Sequence, residues 1–587
     1  MSIAQIQRNI KRFFESPPRN INRRVLLALV VVIIFILYIF LASLSTPPST
    51  PSEVCVIDHF DKHAGKQVDP TKTIISFIGN GYIGMDVSAK SELTLISNDT
   101  MFEPLKGLKP LVKLSLPFDN DAVLHFEPDP VDGMSKAVHC SVVEEKCVCV
   151  YEYVYAHRTR SNLLVQDIKI TNPSLSALSI KFDRGISEEW EKQELTTVPV
   201  YYRTLDIQNQ KIGIAVICSS LPNDIVVHQK REESFRFMCV VEQGVISADS
   251  FATKRQLSAK AIQEFTEINS LHWNQVDTEH KDAWKDLNRA SFNISYSKAP
   301  NALNSNIIGL TKFALLSSVR APLLEKTTTQ ITKDHYKELM SKNELCYQGH
   351  STLLTPSKLW QEWTSLDDVQ NTIKIWMLTL KHRGCMHLVE SGAHGIVQAF
   401  LLSLSAATFT HHHLEFSLDP ADDLHRELHV DGLEFSPNSF VNITFDMDTE
   451  YRPLVRLSSS SATVLYACSG GCLDGPKKLT SAPIEFPLKI TKPPSPILFI
   501  SDDSQKLDHI KDTLHVIDVA DAPKHLPERI AYHKHGENTG LPTVFWVILI
   551  FMLISFHLFL VKLLYSEWKN SSSVPYSKFS KKILLRQ

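Results

Sequence analysis

The sequence predicts an α+β chain: an N-terminal β-sandwich, a linker helix with a reduced helical domain, and a C-terminal β-sandwich, flanked by two transmembrane helices. Three observations predict it. Two long apolar runs lie near the two ends. Short β-rich runs separated by turn residues fill two stretches between them. The segment joining those stretches carries apolar residues at helical spacing.

The first apolar run, Val25–Leu44, is uncharged over a length that suffices to cross a bilayer core. Six basic residues precede it, from Arg8 to Arg24, and none follows until Lys62, which places the N-terminus in the cytosol. The apolar stretch and its basic lead are both long for a cleaved signal peptide, so a signal anchor is expected. The second run, Val544–Val561, is followed by Lys562, Lys569, Lys578, Lys581, Lys582 and Arg586, which puts the C-terminal tail in the cytosol as well. Everything between the runs is then lumenal or extracellular.

The expected organisation is a cytosolic tail at 1–24, a transmembrane signal anchor at 25–44, a stem at 45–70, a lumenal β-sandwich at 71–270, the helical linker and reduced helical domain at 271–406, a second β domain at 407–500, a membrane-proximal segment at 501–543, a transmembrane helix at 544–564 and a cytosolic tail at 565–587. The 587 residues carry 61 basic and 64 acidic side chains, net −3, with no basic stripe interleaved with aromatics, so nucleic acid is not an expected partner.

The ten cysteines all fall between Cys55 and Cys472, as disulfides in an exported body would. Cys468 and Cys472 bracket a glycine loop, and strands flank them, so a structural bridge is expected rather than a redox pair. Cys346 and Cys385 flank the central helices. Cys218 and Cys239 sit on neighbouring strands. Cys140 lies within reach of Cys147 or Cys149 across a turn. Sequons at Asn98, Asn293 and Asn442 are candidate glycosylation sites in the same compartment.

The stretch FIGNGYIGMD contains G-x-G-x-x-G at Gly79, Gly81 and Gly84. A dinucleotide site needs a helix after those glycines to hold the pyrophosphate. Here MDVSAKSELTLIS alternates like a β-hairpin, so the glycines are expected to form a tight turn where side chains would clash, and no cofactor is assigned. From Thr71 to Phe265 the chain reads as strands. Thr278–Ala290 then reads as a helix with Trp284 and Leu287 on one face, and Asn306–Val319 as another. In SLDDVQNTIKIWMLTLKHRG, Ser365 is a natural N-cap with Asp368 three residues on and Gly384 as the stop; Leu366, Val369, Ile373, Trp376 and Leu380 form its buried stripe. Gly395–Ala406 reads as a buried helix. His411-His412-His413 and the alternating His425, Glu427 and His429 are of metal-ligating type, but neither has a zinc-protease spacing, and alternation on a strand is also how a solvated face looks, so no metal is assigned.

Several of these motifs resemble known families. Gly79-Asn-Gly-Tyr-Ile-Gly84 is similar to a motif near the start of maltose phosphorylase-like enzymes (glycoside hydrolase family 65). HKDAWKDLN with Trp284 resembles that family's linker helix, without its second Trp near Asn288. GAHGIVQA followed by LEFSLDP and LHVDGLEF resembles its last barrel helix and the strands beyond, with Gln398 present and Val397 where a Trp is usual. The resemblance implies a β-sandwich, a linker helix, an α/α barrel and a second sandwich. About 90 residues lie between Ala299 and Gly392, whereas twelve helices need roughly 180. The acidic active-site run of that family is missing, and Glu362, Asp367, Asp368 and Glu390 show no acid–base pairing. Over most of 70–568, SAPIEFPLKI, YACSGGCLDGPKKLTSAP, KHRGC and the second apolar run resemble an animal family of uncharacterised two-pass membrane proteins with a domain of unknown function.

The function expected from these readings is a non-catalytic lumenal scaffold, or a glycan- or glycoprotein-binding membrane protein of the secretory pathway, with no catalytic residue assigned. Its location is expected to be the endoplasmic reticulum or Golgi membrane. The alternatives are an active glycosidase or phosphorylase with a rebuilt site, for which Glu362 and Glu390 are the carboxylates to change, and a structural subunit in which His557 faces a partner helix.

Overall fold

The computed structural model describes Ser52, Cys55, Val56 and residues 75–571, apart from 90, 98–99, 116–122, 208, 224, 247–249, 355–356, 412 and 537–542. The first apolar run, Asn98 and His412 therefore lie outside the described residues.

The N-terminal part is built on an eight-stranded antiparallel sheet running from the edge strand Glu191–Gln193 through Val200–Ile207, Gln210–Cys218, Arg231–Val245, Leu163–Asn172, Lys146–Ala156 and Met134–Val143 to Val123–Asp129. The alternation seen in LLVQDIKITN fits it: Ile168 and Ile170 are buried, while Asp167, Lys169 and Thr171 are half-buried. A three-stranded sheet, including Leu108–Ser115 and Leu178–Ile186, closes one face over Val112, Val150, Ile170, Ile180 and Phe237. The chain is thus of the mixed α+β class.

The other face corrects the sequence reading. Ser250–Ser270, read as the end of the strand region, is a helix, α1. It lays Leu257, Ala261, Phe265 and Ile268 on Val165, Ala215 and Val240 of the large sheet. Those four side chains have helical spacing, and a second apolar sheet face needs a cover.

Beyond α1 come α2 (Trp273–Asn288), α3 (Ser305–Ser318), α4 (Gln330–Ser341), α5 (Leu366–His382), α6 (Met386–Glu390) and α7 (Ala393–Leu404). The α5 start is a capping box: the Ser365 hydroxyl accepts from the Asp368 N–H, and the Asp368 carboxylate accepts from the Ser365 N–H at 3.0 Å. Val369, Ile373, Trp376 and Leu380 are buried, and Gly384 follows at φ +78°. Every residue of α7 except His394 is buried.

Two five-stranded antiparallel sheets form the second β region. One contains Leu428–Ser436, Ser439–Met447, Pro453–Ser461 and Ile484–Pro487, and it takes Ser291–Ile294, the segment just after α2, as its edge. The chain thus visits the second β region before it makes α3. A shared core runs from Phe77 and Trp284 through Trp376 and Phe400 to Phe416 and Phe445. After the sheets come α8 (Ser504–Leu514), α9 (Pro527–His535) and α10 (Thr543–Ser571). In α10, the most apolar 18-residue stretch within Phe545–Lys569 has a mean hydropathy of 2.6 and none of it is buried, so its apolar circumference needs a bilayer or a partner.

The glycine motif is a hairpin. Phe77–Gly79 pairs antiparallel with Ile83–Asp86, Gly79 opposite Gly84. Gly81 has φ +81°, and a Cβ there would lie 2.0 Å from the Val319 carbonyl carbon; one on Gly79 would lie 2.5 Å from the Ser317 oxygen. The hairpin backbone therefore sits directly against the end of α3, where the Gly81 N–H donates to the Ser317 carbonyl at 2.8 Å.

Between these glycines, Asn80 is buried and fully used. Its Oδ1 accepts from the Tyr82 and Ile83 N–H groups, each at 3.0 Å, and its Nδ2 donates to the His157 and Ser161 carbonyls at 3.0 and 2.8 Å. Those carbonyls belong to the turn HRTRSN, 157–162, whose six residues are all buried. His157 accepts from the Thr159 and Arg160 N–H groups through Nδ1 and donates to the Val276 carbonyl through Nε2. Burial pushes it down to about 4, so it is neutral. Arg160 pairs with Glu264 and Glu267 of α1 and Glu279 of α2.

Replacing Asn80 by alanine leaves two N–H groups and two carbonyls buried without partners. Asn80→Ala is expected to lower the unfolding free energy by about 2–4 kcal/mol in urea titrations; a change under about 0.5 kcal/mol, the range of a neutral surface substitution, would contradict this account of the hairpin.

Candidate functional site: a crevice where three sequence motifs meet

The linker helix α2 ends in DLNR. Its C-terminus is capped by Lys312 of α3, whose ammonium donates to the Leu287 carbonyl at 3.4 Å, to Asn288 Oδ1 at 3.1 Å and to the Ala290 carbonyl just beyond the helix at 2.6 Å. Burial lowers the Lys312 pKa to about 8. The cap fixes where Asp286 and Arg289 point. Gly432, at φ +66°, lets the Leu428–Ser436 strand approach: a Cβ there would lie 2.6 Å from the Arg289 carbonyl oxygen. The strand is irregular between Val430 and Leu433 and again between Glu434 and Ser436. Gln398 of α7 holds the irregular part, donating to the Glu434 carbonyl at 2.7 Å and accepting from the Glu434 N–H at 3.3 Å.

The result is a crevice lined by Asp286, Arg289, His394, Gln398, Glu434 and Phe440, among others. HKDAWKDLN, GAHGIVQA and LHVDGLEF, distant in sequence, converge on it. His394 Nε2 donates to Asp286 Oδ2 at 3.0 Å, and this bond holds the Asp286 carboxyl below its ordinary value. The Arg289 guanidinium lies 4.4 Å from the Phe440 ring centroid. Burial pushes Glu434 up, against the opposing pull of Arg289 and His394. Two carboxyls in one crevice are thus displaced in opposite directions, the pattern that separates an acid from a base. His394 Nδ1 is buried and has no hydrogen-bond partner among protein atoms. The free space is only ≈ 30 Å³, about one water molecule. Ligand pockets are typically ten times larger.

The sequence-named residues fall as follows. Glu362 is exposed, and Glu390, also on the surface, lies 3.7 Å from His387; neither lines the crevice. Asp368 caps α5, and Asp367 sits in that helix's first turn. Asn293 is exposed on the edge strand, whereas Asn442 is half-buried and its Oδ1 accepts from the Gly432 N–H at 2.8 Å. Cys140 is bonded to Cys149, Cys218 to Cys239, Cys346 to Cys385 and Cys468 to Cys472. The first two pairs sit directly opposite each other on antiparallel strands. Cys55, given no partner from sequence, is bonded to Cys147 and ties the stem to the large sheet.

His425 and Glu427 are not on a strand, which begins only at Leu428, so the H-R-E-L-H face is not formed. His425 turns to His533 of α9, their rings 4.7 Å apart, and Glu427 pairs with His429. His411 pairs with Glu344 and His413 with Glu415. Among the described residues, no group of three or more His, Cys, Asp or Glu side chains is arranged to hold a metal ion. His557 donates to the Leu553 carbonyl of its own helix at 2.7 Å. Sequence reasoning passed over His394, Arg289 and Glu434, although each lies in or beside a quoted motif. GAHGIVQA offered one signal, a single imidazole in a mostly apolar stretch, whereas HKDAWKDLN and LHVDGLEF carry several charged or imidazole residues each, and nothing in their pattern singles out Arg289 or Glu434.

The chain belongs to a family described as "Uncharacterized conserved protein (DUF2152)", whose profile matches residues 10–582. The "Uncharacterized protein KIAA2013 homolog" of Xenopus laevis is 28% identical over 533 residues, which is 85% of this chain and 84% of the relative. Its counterpart in Xenopus tropicalis is 28% identical over 537 residues, with the same shares. Among solved structures, a "Putative kojibiose phosphorylase from human microbiome" superposes with a TM-score of 0.34 at 10% identity, covering 62% of this chain and 60% of that enzyme's length. That superposition is too loose to transfer residue roles.

A carboxyl whose folded value is raised destabilises the native state while ionised, and that cost disappears as pH falls through the raised value. Glu434→Gln is therefore expected to raise the thermal midpoint at pH 7, with the gap from wild type closing towards pH 4. A gap that stays constant with pH would show that Glu434 does not titrate under this strain.

Proposed function

We propose that the chain is a membrane-anchored protein of the secretory pathway whose extracytoplasmic body binds glycans or glycoproteins without turning them over. The observation that carries this reading is the crevice. Three motifs build it, its polar groups are mostly engaged with one another, and its free space admits a water rather than a sugar. Recognition then falls to outer surfaces held by a rigid frame.

The cysteines support that compartment. All ten are joined in five disulfides, as expected in an oxidising compartment and not in the cytosol. The unburied apolar helix α10, followed by lysines, supports anchoring with a cytosolic tail. A two-pass topology adds Val25–Leu44 as a second span, and we place the body in the lumen of the endoplasmic reticulum or Golgi, with glycans on exposed Asn293 and on Asn98 and Asn442.

A second reading is an enzyme with a rebuilt site. The opposite displacement of Asp286 and Glu434, with His394 between a carboxylate and a water-sized space, favours it. The purified full chain would be screened on a glycan array and, in parallel, for hydrolysis and phosphorolysis of α-linked di- and oligosaccharides. Binding without turnover is the expected result. Turnover abolished by Glu434→Gln or His394→Ala would overturn the binding reading in favour of the enzyme, and silence in both assays would reject glycans as the ligand class.

A further inference from the structure

Arg158 sits in the buried turn 157–162 and is 1% exposed. Its Nε, Nη1 and Nη2 are all buried and have no hydrogen-bond partner among the described residues. A guanidinium carries five N–H donors and keeps its charge at any physiological pH. Even with burial lowering it to about 10 and Glu325 opposing, Arg158 remains a cation. A buried charge without an acceptor is among the costliest features a fold can hold, and a guanidinium with none of its three nitrogens partnered calls for a specific compensation.

The side chains nearest to it that could accept are already committed. His280 Nδ1 accepts from the backbone N–H of Arg158 at 3.2 Å, and its Nε2 donates to the Gly133 carbonyl. His157 is spent on Thr159, Arg160 and Val276. Glu325, the carboxylate whose charge reaches Arg158, is gripped by Arg320, by the Ala321 N–H at 3.2 Å and by the Thr328 hydroxyl at 3.3 Å. The other cations of the region have carboxylates: Arg160 has Glu264, Glu267 and Glu279, Lys326 has Glu279, and Arg320 has Glu325. Among the described residues, Arg158 is the cation of this cluster without a carboxylate.

Its surroundings define what is missing. The guanidinium carbon lies 5.5 Å from the centroid of the Trp284 ring. Trp284 is wedged against Phe313, at 5.2 Å, and against Gly133, where a Cβ would lie 2.0 Å from the indole nitrogen. A ring face attracts the cation but leaves the guanidinium's in-plane N–H donors unanswered. Trp284, itself packed on Phe313 and Gly133, closes one side of the guanidinium, and this favours a small ligand over a phosphate or an organic carboxylate. A monovalent, monatomic anion needs only N–H donors and little room. Chloride is the abundant one outside the cytosol.

We propose that Arg158 binds one chloride ion, buried where the N-terminal β-sandwich meets α2, and that this ion completes the turn that joins them. The site is independent of the crevice and of any glycan binding.

The test uses the full chain in detergent, moved into sodium gluconate. Thermal midpoints are followed while sodium chloride or sodium bromide replaces gluconate at constant ionic strength. A saturable rise with both halides is expected in the wild type and is expected to be lost in Arg158→Met. Equal midpoints in gluconate and chloride, or a halide effect that persists in Arg158→Met, would overturn the proposal. If Arg158→Met does not fold, wild-type crystals grown in bromide decide. An anomalous peak beside the Arg158 guanidinium supports the site, while a water or one of the chain's own carboxylates at that position, without anomalous signal, refutes it.

Discussion

The Asn80 side chain is the joint on which the rest of the body depends. One amide reads two chain segments at once. Its oxygen closes the Gly79–Gly84 hairpin, and its nitrogen holds the carbonyls of the turn 157–162. The hairpin backbone is pressed on the end of α3, and the turn is pinned by Arg160 to α1 and α2. Sandwich, linker and helical core therefore share one buried polar centre. Such a centre is stabilising only when every member is satisfied, because an unmet donor or acceptor costs more in a low dielectric than it does in water. That is why the glycines on either side of Asn80 matter: a methyl group at either one would push the joint apart.

Local rules made much of this legible. Alternation marked the strands of the large sheet, and the Ser365 cap, the Ile373–Trp376–Leu380 stripe and Gly384 marked α5, because those signals lie within one element. The rejection of a dinucleotide site followed from the missing helix after Gly84. What sequence reading missed was set by tertiary context. Leu257, Ala261, Phe265 and Ile268 have helical spacing, but they follow a long run of strands that masks it. Ser291–Ile294 is four residues long, too short for a pattern, and becomes a strand only because Leu428–Ser436 offers it an edge. His425 left the expected strand face because α9 brings His533 against it.

The crevice was half legible. The three motifs around it could be singled out, and their convergence could not, since it depends on Gly432 admitting the Arg289 carbonyl and on Gln398 bridging to an irregular strand. Convergence of motifs is also what a structural joint looks like. Lys312 capping α2, Arg289 over Phe440 and the Asp286–His394 pair each fasten one element to another. The small free volume fits a joint.

The central claim is that the hairpin, the buried turn and the helical core stand or fall together. Native-state hydrogen exchange on the full chain tests it most directly. The account predicts that the amides of Gly81, Ile83, Thr159 and Arg160 exchange only through the same global opening that releases the amides of α7, with equal free energies and the same denaturant dependence. If the hairpin and turn exchange through a smaller, separate opening while α7 stays protected, the joint is local and the account is wrong.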